Sequence, residues 1–240
     1  MHIKLATWNM AHWSHKSHDT QSWQFFTNDV DSDILLFQES VPNYKALNKK
    51  HLVWSGIGGT RPWGSGIYSP KFKINPFAFK NNFSGAVTAS EIELHDNLKI
   101  IVISLYGLME KISKIGYSIP NLHRIFSDLT EILEFKETKH RIIIGGDLNA
   151  SLQIDEIQPG NSHRVFFDRL KEFGLVNCFD NYFADFVQTH RHARSKKPWQ
   201  NDYFFISKKL EKYLIKCSVI DNESVRKYSD HNPVVIELDV

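Results

Sequence analysis

The chain has 240 residues, 42% of them hydrophobic and 13% aromatic, enough to bury a substantial core in one globular domain spanning residues 1–240. Twenty-nine Lys and Arg oppose 27 Asp and Glu, a formal charge of +2, which excludes attraction to polyanions by global charge and leaves that work to local patches. No apolar run approaches the length of a bilayer span, and the opening MHIKLATWN has neither an apolar leader region nor a small-residue cleavage site, so the expectation is a cytoplasmic protein with no membrane partner.

In chain order, an alternating strand at 3–8 leads into the string HWSHKSH at 12–18. That string reads as a polar loop, because zinc wants a closed set of four ligands and no cysteine accompanies these histidines. A weak helical pattern covers 20–30, followed by a strand at 34–37. Gly64-Ser65-Gly66 lacks the Lys-Ser/Thr of a P-loop and reads as a turn into a strand at 66–69. Strands at 86–94 and 98–106 come next, the second apolar on both faces as expected of a strand covered from both sides. Across 120–136, Leu122, Ile125, Phe126, Leu129, Ile132 and Leu133 keep helical spacing behind Pro120. After a strand at 141–145, a second helix is predicted over 162–173, with Val165, Phe166, Leu170 and Phe173 apolar and Gly174 as its stop. Strands at 203–207, 214–220 and 234–238 complete the series. Cys178 and Cys217 sit in apolar surroundings without ligand spacing, which suits buried, reduced thiols. With no repeat, no linker and no strict βαβα alternation, the pattern predicts an α/β fold of two packed sheets flanked by helices.

Several strands share one oddity: they run out of apolar residues into polar groups that a surface turn would not need. The first ends at Asn9, the second at Glu39, the long central one at Tyr106, and IIIGGDLNAS at Asp147 and Asn149. Asp202 opens a strand in NDYFFIS, and SDHNPV places Asp230 and His231 just before another. Each alone has a plainer reading, since Asp-Xaa-Asn after glycines commonly forms a turn. If the sheets bring these ends together, the resulting oxygen-rich cluster suits a hard divalent cation such as Mg²⁺, or Mn²⁺ in its place.

The motifs TWNM, QES, SLYG, GGDLNA, NDYFFIS and SDHNPV, in this order from residue 7 to residue 234, resemble those of the endonuclease/exonuclease/phosphatase superfamily. The resemblance implies a four-layer α/β/β/α sandwich, two packed mixed sheets flanked by helices, and a metal-dependent hydrolase of phosphoric esters. It implies Glu39 as the main metal carboxylate with Asp230 and Asn9 beside it, and Asp147 as the group that orients or deprotonates water. Asn149 and Tyr106 match groups that hold the scissile phosphate, and Asp202 and His231 match a pair that presents an imidazolium to it. One departure stands out: where several nucleases of the superfamily carry an Asp two residues after the first-strand Asn, this chain has Ala11.

The substrate is read from QTHRHARSKKPWQ, just ahead of Asp202. His190, Arg191, Arg194, Lys196, Lys197 and Trp199 would there grip a phosphate backbone and stack on a base, the plainer reading being a solvated loop. Arg61 and Trp63 offer a second wall, unless the tryptophans are packed beneath their loops. The expectation is therefore a Mg²⁺-dependent endonuclease acting on DNA, or on RNA. Its alternatives are a phosphomonoesterase or lipid-headgroup phosphodiesterase of the same fold and, from another class, a nucleic-acid-binding protein without turnover.

Overall fold

In the first strand, β1 (His2–Asn9), Ile3 and Leu5 join one apolar cluster and Ala6 and Trp8 another, so alternation along a single strand separates two layers. The computed structural model describes residues 1–15, 19–95, 98–112 and 116–240. The further strands are β2 (Ile34–Ser40), β3 (Leu52–Gly58), β4 (Arg61–Tyr68), β5 (Lys73–Pro76), β6 (Val87–Glu93) and β7 (Lys99–Leu105), then β8 (Glu110–Ile112) and β9 (Gly116–Ser118). After these come β10 (Ile142–Asp147), β11 (Leu175–Asn177), β12 (Asp202–Ser207), β13 (Leu214–Val219) and β14 (Val234–Asp239). One six-stranded sheet has the order β13-β14-β1-β2-β4-β3 and a second the order β11-β12-β10-β7-β6-β5, while β8 and β9 form a small sheet of their own. Both large sheets are mixed, as the resemblance implies.

The helices are α1 (His12–His15), α2 (Asp19–Gln24), α3 (Pro120–Asp128), α4 (Thr130–Glu134), α5 (Leu152–Asp155), α6 (Ser162–Glu172) and α7 (Glu223–Tyr228). On the outside of the first sheet, Trp23, Phe26 and Val225 cover Trp8 and Phe37, with the Trp23 and Phe37 rings edge to face at 4.8 Å. On the outside of the second, Phe126, Phe166 and Leu170 close the other layer. Between the sheets the core carries a polar seam. Gln38 hydrogen-bonds Thr7 and donates to Ser104 Oγ across the sheets at 2.9 Å, and Ser65 meets Thr88 at 3.1 Å. Gln38 lies next to Glu39, and Ser104 two residues before Tyr106, so the seam ties the sheets together close to the chemistry-bearing ends.

Four local expectations change. Gly64-Ser65-Gly66 lies inside β4 rather than in a turn: a Cβ on Gly64 would stand 1.8 Å from the Ser55 carbonyl oxygen, so the glycine permits close approach of β3. The helical pattern of 120–136 divides at Leu129, whose N–H turns to the Ile125 and Ser127 carbonyls before α4 begins. The weak pattern of 20–30 becomes α2 followed by a π-helical turn at Phe25–Asp29. Of the histidine-rich string, residues 12–15 close a helical turn, and Lys16, Ser17 and His18 lie outside the described residues. Both cysteines are buried and free, and burial pushes the Cys217 thiol up to about 12. Among the described residues no helix is long and apolar enough to cross a membrane.

Candidate active site

Strand direction gathers the polar ends. β1 and β2 run parallel and finish at the edge where antiparallel β14 begins; β7 and β10 run parallel and finish where antiparallel β12 begins. Three side-chain contacts then join the two sheets across this rim. Asn9 Nδ2 donates to Asp147 Oδ2 at 2.8 Å, Tyr106 Oη donates to Glu39 Oε1 at 2.6 Å, and His231 Nδ1 meets Asp202 Oδ2 at 2.9 Å.

Asp147 sits at the centre and is buried. Besides Asn9 it accepts the Asn149 backbone N–H at 2.8 Å and the Asn149 side-chain amide at 3.1 Å, and that amide also reaches the Gly107 carbonyl at 3.0 Å. The glycines of IIIGGDLNAS make room for it. A Cβ at Gly146 would lie 1.9 Å from the Leu105 carbonyl oxygen, and one at Gly145 would enter the Phe204 ring at 2.4 Å. Burial lifts the Asp147 carboxyl to about 7, with the neighbouring His231 pulling against it and Asp202 adding to it.

Backbone strain marks the same place. Among the described residues, three of the four non-glycine residues with left-handed backbones are Ala11 (φ 45°), Glu39 (φ 45°) and Asn149 (φ 47°), a conformation that costs about 1–3 kcal/mol and persists where surroundings enforce it. At Glu39 the ladder between β2 and β4 slips, freeing its carboxylate from strict alternation. Glu39 Oε1 is held by Tyr106, while Oε2 is buried with no hydrogen-bond partner. A buried carboxylate oxygen left bare is costly unless a cation completes it, and an all-oxygen donor suits Mg²⁺ or Mn²⁺, so this rim fits a hard divalent ion. Among the described residues, ligand-type atoms also gather within 4.8 Å in two sets, Asp147/Asp202/His231 and His190/Asp230/His231. Asn9, expected beside the metal, accepts the Ala11 N–H at its Oδ1 at 2.9 Å.

His231 is almost wholly buried, which opposes its charge, but Asp202 and then Asp147 outweigh that and raise it to about 10. Its Nε2 lies 3.9 Å from Asp147 Oδ2. The Trp8 indole donates to its carbonyl at 2.9 Å, and Ser229 Oγ both donates to the Asn9 carbonyl at 2.7 Å and accepts the His231 N–H at 3.0 Å.

The loop ahead of Asp202 divides into two sets of side chains. Arg194 and Lys196 are exposed, as both the phosphate-gripping and the solvated-loop readings expect. Arg191 is not: it folds inward, donating to Asn232 Oδ1 and to the Ser229 carbonyl at 2.7 Å, with Asp221 at 3.7 Å. Lys197 is drawn to Glu156 at 3.1 Å and lies over the Trp199 ring at 5.1 Å. His190 is stacked against His231 rather than standing among the surface cations. Thr189, quoted in the motif but read only for the charges beside it, accepts the N–H groups of Asn201 at 2.9 Å and Asp202 at 3.0 Å. Its signal was a buried hydroxyl among cations, which spacing does not reveal. Gln38, Ser229 and Trp8 were likewise missed as supports, because their partners are far away in sequence.

Similarity to known proteins converges on the same description. No curated protein matches this sequence. Among solved structures, AP endonuclease LMAP from Leishmania major superposes with a TM-score of 0.76 at 16% identity, covering 100% of this chain and 88% of that one. An AP endonuclease from Archaeoglobus fulgidus gives 0.70 at 21% identity, covering 99% and 100%. The 3′ phosphatase NExo from Neisseria, bound to product DNA hairpin, gives 0.70 at 18% identity, with the same coverage of 99% and 100%. These likenesses establish the fold, and the model of the Endonuclease/Exonuclease/phosphatase family matches residues 6–231. The chain belongs to that family, whose members are hydrolases acting on phosphoester bonds.

Proposed function

We propose that residues 1–240 form one catalytic domain, a divalent-metal-dependent phosphodiesterase that acts as an endonuclease on DNA, with RNA as the alternative polymer. The observation that carries this reading is the buried Asp147 held by Asn9 and Asn149 beside the Asp202–His231 pair. A general base works best with a pKa near the operating pH, and burial brings Asp147 to about 7. In this reading Asp147 takes the proton from an attacking water, and Asn149 and Asn9 fix the direction of its oxygens. His231, kept charged by Asp202, donates from Nε2 to the phosphoryl oxygens, where negative charge builds up. Tyr106 holds Glu39 Oε1, so Glu39 Oε2 and, at the rim, Asp230 would hold the cation. Mg²⁺ or Mn²⁺, when bound, neutralises charge on the phosphate.

Nucleic acid is favoured by the exposed Arg194 and Lys196 beside the site and by the named activities of the similar structures, AP endonucleases and a 3′ phosphatase seen with DNA. Incubating the protein with abasic, duplex and single-stranded DNA, RNA and inositol phosphates, with Mg²⁺ and with chelator, tests the reading. Cleavage of a DNA strand that chelator abolishes is the expected result. Full activity in chelator removes the metal from the proposal; release of phosphate alone transfers it to the phosphomonoesterase alternative; inertness on every ester leaves a binding protein.

A further inference from the structure

We propose that His190 is a positioning residue for His231: its ring backs the imidazole on one side and sets the tilt at which that imidazole meets the scissile group. The inference rests on the hydrolytic reading of the site. The two rings stack with centroids 4.4 Å apart and planes 22° apart. The His190 backbone pairs with both Trp199 and His231, so it sits where the loop ahead of Asp202 crosses the segment that carries His231. Its ring is pinned from both ends. The Asn201 side-chain amide lies 3.2 Å from Nδ1, and Nε2 faces Asp230 Oδ2 at 3.8 Å.

The need for such a group follows from what else holds His231. Asp202 bonds one ring atom, Nδ1, with Asp147 Oδ2 3.9 Å from Nε2, while Trp8 and Ser229 bond only the backbone. A single in-plane hydrogen bond aims one atom but leaves the ring free to rock about that bond. A flat neighbour that is itself fixed removes the rocking, and it shields one face of the imidazole from water, which strengthens the pull of Asp202 and Asp147 on it. Two carboxylate–imidazole pairs thus lie side by side, Asp202–His231 and Asp230–His190, and only the first reaches Asp147.

The test uses His190→Ala and His190→Phe in the full chain, with melting temperature measured alongside. Hydrolysis is followed on whichever phosphoester the unaltered protein cleaves, and the His231 ring is followed by long-range ¹H–¹⁵N spectra, which need no substrate. Removing the ring should lower kcat by about 10- to 100-fold, the scale of an ångström-sized misplacement, with KM changed by less than about threefold. The His231 resonances should shift or broaden. Phenylalanine, which keeps a flat ring and loses both nitrogens, should restore most of kcat and the His231 signals. Unchanged kcat and unchanged His231 signals in His190→Ala overturn the proposal, as does a loss confined to KM, which would place His190 on the substrate. A phenylalanine variant as poor as alanine also overturns it. If the unaltered protein hydrolyses no phosphoester, the proposed function fails, and the His231 spectra still decide whether His190 positions that ring.

Discussion

A buried carboxyl raised to about 7 and a buried imidazole raised to about 10 sit side by side in Asp147 and His231, and neither value belongs to its residue type in water. The local cause is clear in each case: burial works on Asp147, whereas Asp202 overrides burial at His231. If Asp147 takes a proton from water, Asp147→Asn keeps the shape and removes the base. The expected result is a kcat lower by about 10²- to 10⁴-fold, with binding of uncleaved substrate nearly unchanged. Denaturant titration should show a stability loss of about 1–3 kcal/mol, since both Asp147 oxygens accept N–H groups and the new amide turns its NH2 against one of them. Turnover near that of the parent would return GGDLNA to the ordinary turn it resembles in isolation. The residue types of this site were legible from the sequence through their ordered recurrence at strand ends and the motifs they form, although each alone reads as an ordinary turn or cap. Their pairing was not, since Asn9 with Asp147 and Asp202 with His231 are separated by 138 and 29 residues. The left-handed backbone of Glu39 was also invisible, because nothing in QES distinguishes a strained glutamate from a relaxed one.

Among the elements, α6 shows how neighbours finish what local sequence leaves open. Its N-cap residue Asn161 makes no side-chain cap bond; instead Asp155, at the end of α5, accepts the N–H groups of His163 at 3.4 Å and Arg164 at 2.7 Å. In the first turn of that helix His163 is buried, and its Nδ1 accepts the Ser151 N–H at 3.2 Å, which requires a neutral ring. Burial holds its pKa below the ordinary value, with Asp155 opposing and His123 assisting. The unfolded chain therefore binds the proton first, near pH ~6.5, so this contribution to stability is complete above that pH and is lost as pH falls through the lower folded value. Urea unfolding at pH 7 and pH 5 should show a larger acid loss for the parent than for His163→Gln, about 1.4 kcal/mol for each pKa unit of depression. Equal losses would mean that His163 titrates as it does in water. The nine strand segments expected from alternation all form, whereas β5 and β11 went unseen because four and three residues are too few to display a period. β3 was obscured differently, by Ser-Gly within LVWSGIG.

For the molecule as a whole, a net charge of +2 leaves any grip on a polyanion to particular side chains, and the fold determines which of them are free. The loop ahead of Asp202 is braced from several directions: Arg191 to Ser229 and Asn232, Lys197 to Glu156, and Gln153 Nε2 to the Pro198 carbonyl at 3.0 Å. It is a wall of the site, and the sequence made its cations look interchangeable only because burial of a long side chain depends on distant partners. The two kinds should respond differently. Replacing Arg194 and Lys196 by Ala should leave the melting temperature unchanged, weaken binding of uncleaved DNA, and reduce the slope of log K against log salt by roughly 0.7–0.9 for each phosphate that is no longer neutralised. Arg191→Ala should instead cost about 1–3 kcal/mol of stability, because the Ser229 carbonyl and Asn232 lose their donor beside the segment that carries His231. Its kcat should fall as that segment loosens, with the salt slope close to that of the parent. Should Arg191→Ala flatten the salt slope while the Arg194 and Lys196 variant leaves it intact, the inward side chain would be the one that reaches the phosphates, and its bracing role would be wrong.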